Sequence, residues 1–125
     1  MSADRELLEL AAKAYWAGEI DDVMSFYWDE QEAAIVYTHA DNQDHNGNDL
    51  ALLWNPLIDD GDALRLAVKL DMYVRCDSNS VCVIEGQSET MVHAEVHSGD
   101  PYAATRRAIV RAAAAIAKAD GGAEG

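Results

Sequence analysis

The sequence predicts an α+β domain, a mainly antiparallel sheet of about five strands with three helices packed on one side. Three observations lead there. Apolar residues recur at helical spacing in three separate stretches, short runs rich in Ile, Val and aromatic residues come in pairs joined by polar turns, and Gly, Pro and Asx residues punctuate the chain between them. At 125 residues, half of them apolar, the chain can bury one hydrophobic core without staples. Residues 1–120 are expected to form one domain, with 121–125 a flexible tail after Gly121-Gly122.

Leu7, Leu8, Leu10, Ala11, Ala14 and Tyr15 follow helical spacing, with Asp4 and Glu6 at the end where the helix dipole favours acids. This predicts a first helix from Ala3 to about Ala17, stopped by Gly18. Met24–Trp28 and Ala33–Thr38 read as strands joined by the turn Asp29-Glu30-Gln31-Glu32. Asp41–Asp49, with Asn46-Gly47, reads as a loop, and Trp54-Asn55-Pro56 as extended backbone, because the residue before proline avoids the helical region. A second helix follows, capped by Asp59 or Asp60, with Leu64, Ala67, Val68 and Leu70 as its expected buried stripe. Met72–Cys76, Val81–Glu85 and Thr90–His97 are three strands. Asp100-Pro101 then opens a last, Ala-rich helix to about Ala119, with Tyr102, Thr105, Ile109, Ala112 and Ile116 on its apolar face. Helix, three strands and helix is also the order of a double-stranded-RNA-binding domain, an activity the acidic balance speaks against.

Composition narrows the function classes. The start has no basic flank feeding an apolar stretch, and no apolar run approaches the roughly 18 residues a spanning helix needs, so a cytoplasmic protein without membrane contact is expected. Cys76 and Cys82 flank a turn and are expected to be buried thiols, not a disulfide framework. A net charge of −14 argues against direct nucleic-acid binding, which needs clustered Lys and Arg. No nucleophile elbow, Walker loop or dinucleotide-binding turn is present, so no catalytic residue and no cofactor is assigned.

Metal chemistry has only weak candidates. His39, Asp41 and His45 crowd one loop with Asp44 and Asp49, but a calcium-loop frame starting at Asn42 places Leu53 where a bidentate Glu is required. His93 and His97 lie on a predicted strand. There they share a face roughly 13 Å apart, too far to chelate one ion.

The charge distribution carries the strongest signal. Between Lys13 and Arg65 there is no Lys or Arg, while Glu19, Asp21, Asp22, Asp29, Glu30, Glu32, Asp41, Asp44, Asp49, Asp59, Asp60 and Asp62 all fall there. Duplex DNA presents one charge per roughly 1.7 Å, so such a block has the charge of a short piece of nucleic acid and suits a basic groove on another protein. Asp29, Glu30, Glu32, Asp41, Asp44 and Asp49 are therefore the expected partner-binding residues. Tyr27 and Trp54 are the aromatic residues expected to be exposed beside them.

Three stretches carry a resemblance: Leu7–Ala14, Trp54–Leu70 (WNPLIDDGDALRLAVKL) and Asp100–Ala112 (DPYAATRRAIVRA). They resemble the small NinX-like proteins of tailed phages and prophages, and together cover about a third of the chain, leaving 20–53 unmatched. The resemblance implies a phage accessory protein working in a bacterial cytoplasm. By class analogy it implies one that binds and disables a host protein or complex, such as a CRISPR defence complex, with no family activity or catalytic residue to carry over. Two alternatives stay open. One is a small-molecule- or metal-binding protein or enzyme using the sheet or the polar loop. The other is a self-associating homo-oligomer using the Arg-bearing last helix.

Overall fold

A computed structural model of the chain describes residues 3–77, 80–86, 91–96 and 99–122. The elements are α1 (Ala3–Tyr15), β1 (Met24–Asp29), β2 (Ala34–His39), β3 (Leu52–Trp54), α2 (Asp60–Lys69), β4 (Met72–Cys76), β5 (Ser80–Glu85), β6 (Met91–Val96) and α3 (Pro101–Gly122). This is the expected α+β class, and its named strands all pair antiparallel. Its strands are divided between two three-stranded sheets, ordered β1-β2-β3 and β4-β5-β6.

Local chemistry sets the boundaries. Asp29 Oδ1 accepts from the amides of Gln31 and Glu32, and Ala33 takes a positive φ of 51°, which together close the β1–β2 turn. Asp59 caps α2 by accepting from the Asp62 amide, and Asp100 caps α3 by accepting from Tyr102 and Ala103. At its other end α3 runs on to Gly122, beyond the expected stop at Ala119.

The helices connect the two sheets. α1 packs on β2 and along α3, α3 packs against all three strands of the second sheet, and α2 sits on α3 and β4. Ala11 and Ala12 of α1 and Ala108, Ala112 and Ala113 of α3 are fully buried, small side chains that let helices pack closely. Leu8, Ile35, Leu66, Val81, Val83 and Val110 fill the rest of the core.

Several sequence-based expectations are corrected. β3 was not foreseen: three residues are too few to show alternation, and it exists because Ile35 and Val36 pair with Trp54 and Leu53. That pairing points Trp54 inward, where it is 2% exposed against Tyr15 and Trp16; it is a core residue, not an exposed anchor. α2 buries Asp62, Ala63, Leu66 and Ala67, leaving Leu64 64% and Val68 71% exposed. The helix is rotated because the Asp62 carboxylate is tied inward to the Asn55 amide at 3.0 Å. Cys76 is exposed because β4 is an edge strand, and Cys82 is half-buried because it alternates along the central β5 with the core residues Val81 and Val83. The His93 side chain and His97 lie outside the described residues. Among the described residues no helix is long and apolar enough to cross a membrane.

Candidate functional site

The first sheet has two unlike faces because side chains alternate along each strand. Met24, Phe26 and Trp28 of β1 point to the side where Trp16, directly after α1, inserts its ring, which lies 6.0 Å from Phe26, 4.8 Å from Tyr37 and 5.1 Å from Trp54. The opposite face carries Ser25, Tyr27 and Asp29. Register places Thr38 across from Ser25, with their hydroxyls 3.2 Å apart, and aligns Tyr27, Val36 and Leu53 in one row across the three strands. Tyr27 is 60% and Leu53 54% exposed, whereas Val36 between them is buried. Tyr27 thus sits where the sequence placed it. Leu53 escaped notice because the short β3 has no visible period.

Eleven of the twelve acids of the cation-free stretch separate into three groups instead of one block, and the twelfth, Glu19, is tied to His39 and Lys69. At the start of α2, Asp59 caps the helix, Asp60 pairs with Arg106 at 2.7 Å, and Asp62 with Arg65 at 2.6 Å. At the β1–β2 turn, Asp29 is spent on backbone amides, Glu30 meets Arg5 at 3.4 Å, and Glu32 is exposed without an ion pair among the described residues. Arg5 also lies 6.0 Å over the Trp28 ring.

The third group lies at the other end of the hairpin, where Met24 pairs with His39. The Ala40 amide bonds to Val23, and the 41–50 loop closes on itself through Leu50 to Asn42 and an isolated bridge between Gln43 and Asp49. Asp44 Oδ1 accepts from the amides of Asn46 and Asn48 across a turn that needs Gly47 at φ 84°. The Asn48 amide above all, then Asn46, holds the Asp44 carboxyl below its ordinary range. Asp21, Asp22 and Asp49 line one shallow groove here, with Asp41 and Asp44 on the adjoining loop. Among the described residues none of these five carboxylates pairs with a Lys or Arg; Asp41 alone has a nearby ring nitrogen, His39 Nδ1 at 3.8 Å.

His39 anchors the loop through both ring nitrogens. Its Nδ1 accepts from the Asp41 amide at 3.0 Å, so the proton sits on Nε2 and donates to Glu19 Oε1 at 3.0 Å. Both ring nitrogens are thereby used. That bond lowers the Glu19 carboxyl below its usual range, with Lys69 adding to the effect and burial opposing it. His45 is exposed on the loop, and no three His, Cys, Asp or Glu side chains among the described residues are gathered closely enough to hold a metal ion. Beside His39, a polar cleft of about 280 Å³ is bordered by Tyr15, Tyr37, Asp41, Asp62 and Arg65. Burial, then the Asp62 carboxylate, pushes the Tyr37 phenol up.

An apolar groove of about 580 Å³ runs between α2, β4 and α3, lined by Leu64, Ala67, Val74, Val81, Tyr102 and Ile109. Its charged borders cancel in the pairs Arg106–Asp60 and Arg75–Asp77. Arg107 of α3 meets Asp4 at 3.3 Å, so Arg106 and Arg107 are engaged within the fold instead of forming a basic docking face.

Compared with protein-family models, with curated proteins and with solved structures, the chain finds no match in any of the three.

Proposed function

We propose that this is a non-catalytic binding protein that engages a basic surface of another macromolecule through the carboxylates Asp21, Asp22, Asp41, Asp44 and Asp49. The observation that carries the reading is the contrast between groups. Two of the three carboxylates at α2 and one of the three at the turn are ion-paired, whereas none of these five is paired with Lys or Arg among the described residues; they are held on the hydrogen-bonded 41–50 loop and the turn before β1. Concentrated like charge on a fixed frame raises the local potential and steers a positively charged partner. The resemblance to NinX-like phage proteins supplies the setting: an accessory protein acting on a host protein or complex in the bacterial cytoplasm. Asp29, Glu30 and Glu32 lie five residue steps along the hairpin, roughly 17 Å away, and contribute at a second edge of the same interface.

The test is capture from host lysate by immobilised wild-type protein and by the Asp21→Lys/Asp22→Lys/Asp49→Lys variant. A discrete partner retained at low salt should be lost from the variant and should elute as salt rises toward about 1 M, where the screening length falls to roughly 3 Å. Equal, salt-insensitive capture by both proteins refutes the reading.

A further inference from the structure

We infer that the open face of the first sheet is the apolar centre of that interface, and that its occupant is a partner surface with an aliphatic or aromatic spot flanked by Lys or Arg. The inference rests on the acidic-end reading and adds the part of the surface that supplies affinity. Charge alone speeds encounter and selects sign; the buried centre of an interface decides how long a complex lasts.

The geometry is specific. Tyr27, Val36 and Leu53 form one row across β1, β2 and β3, with the Ser25–Thr38 hydroxyl pair at its side toward the acidic end. Tyr27 and Leu53 stand well out of the surface on either side of buried Val36, so the row is a shallow saddle with a rigid aromatic on one flank. Along the strands the saddle is bounded by carboxylates in both directions: Asp21, Asp22 and Asp49 beyond Ser25, and Asp29 and Glu32 beyond Tyr27. An apolar centre with a charged border is the anatomy of a docking site, and the net negative sign of this border, with Arg5 at the turn matched by Glu30, selects the occupant. A second copy of this chain would bring its own acids against these, at a net charge of −14 per chain. A Lys- or Arg-flanked apolar spot satisfies both parts. The larger α2–α3 groove offers apolar area, but its border charges cancel and select nothing.

The probe is a short synthetic peptide with two adjacent leucines flanked on both sides by lysines, compared with the same peptide carrying serines in place of the leucines. Binding is followed by amide chemical shifts and by titration calorimetry, and the same spectra verify that the surface variants are folded. The leucine peptide should shift Tyr27, Val36 and Leu53, and bind at least about tenfold more tightly than the serine peptide. Tyr27→Ser/Leu53→Ser should abolish that difference while leaving the salt-sensitive binding of the serine peptide intact. Equal affinity of the two peptides for wild type, or an unchanged difference in the double variant, overturns the inference and leaves the acidic-end reading standing. Failure of both peptides to bind overturns both. Sedimentation showing a dimer that Tyr27→Ser disrupts would assign the face to self-association, and so also overturns it.

Discussion

Asp62 is a buried carboxylate whose removal should be costly in a way that can be itemised. It is 8% exposed, accepts from the buried Asn55 amide at 3.0 Å through Oδ2, and takes Arg65 Nη2 at 2.6 Å through Oδ1. Asp62→Ala leaves the Asn55 N–H inside the protein without its acceptor, a loss of roughly 1–3 kcal/mol. The Arg65 bond adds less, under about 1 kcal/mol, because that guanidinium is mostly exposed and is rehydrated. Loss of an acid from the first turn of α2 contributes about 0.3–1 kcal/mol more. The expected total is about 2–4 kcal/mol, a fall in thermal midpoint on the order of 10 °C for a chain of this size. Thermal and urea unfolding followed by circular dichroism measure it. Asp62→Asn, which keeps an acceptor for the Asn55 amide, should recover most of the loss. Arg75→Ala serves as the comparison, because its pair with Asp77 is solvent-exposed and should matter by less than about 0.5 kcal/mol. An Asp62→Ala variant no less stable than Arg75→Ala would refute the assignment of Asp62 as the residue that sets the rotation of α2.

Two further expectations rest on other contacts. Glu19 has its folded carboxyl lowered, chiefly by His39, so it contributes stability that is fully present above the ordinary glutamate value of roughly 4.3 and is lost as pH falls through the depressed folded value. Urea unfolding from about pH 5 downward should show that decline, and Glu19→Gln should flatten it; identical slopes would remove the His39–Glu19 bond from the account. Gly86→Ala would place a Cβ 2.5 Å from the Asp71 carbonyl oxygen, which accepts the Gly86 amide at 2.7 Å, so backbone must shift. A loss of about 1–3 kcal/mol is expected, and an unfolding free energy equal to wild type would show that the open end of the β4–β5 pair relaxes freely.

Much of the fold was legible because it rests on neighbours in the chain. Asp100 followed by Pro101 opens α3, Asp59 caps α2, and Asp29 accepts from the amides of Gln31 and Glu32, all contacts within three residues. β3 was not legible, being too short for a period, and with it went the outer row that ends at Leu53. The exposed position of Tyr27 followed from alternation along a six-residue strand; the burial of Trp54 depended on a partner strand the sequence does not announce.

The amino-acid sequence alone determined the class of fold, the positions of most helices and strands, and the existence of a long stretch without Lys or Arg. Tertiary structure decided which of those carboxylates remain unpaired with cations. Arg5 reaches Glu30 from 25 positions away, Arg106 reaches Asp60 from 46, and Lys69 reaches Glu19 from 50. Charge along a chain is a local count, but a potential at a surface is a sum over space, and these long-range pairs neutralise part of the acidic half while leaving the carboxylates around the 41–50 loop, with Asp29 and Glu32 at the turn, unpaired with Lys or Arg among the described residues.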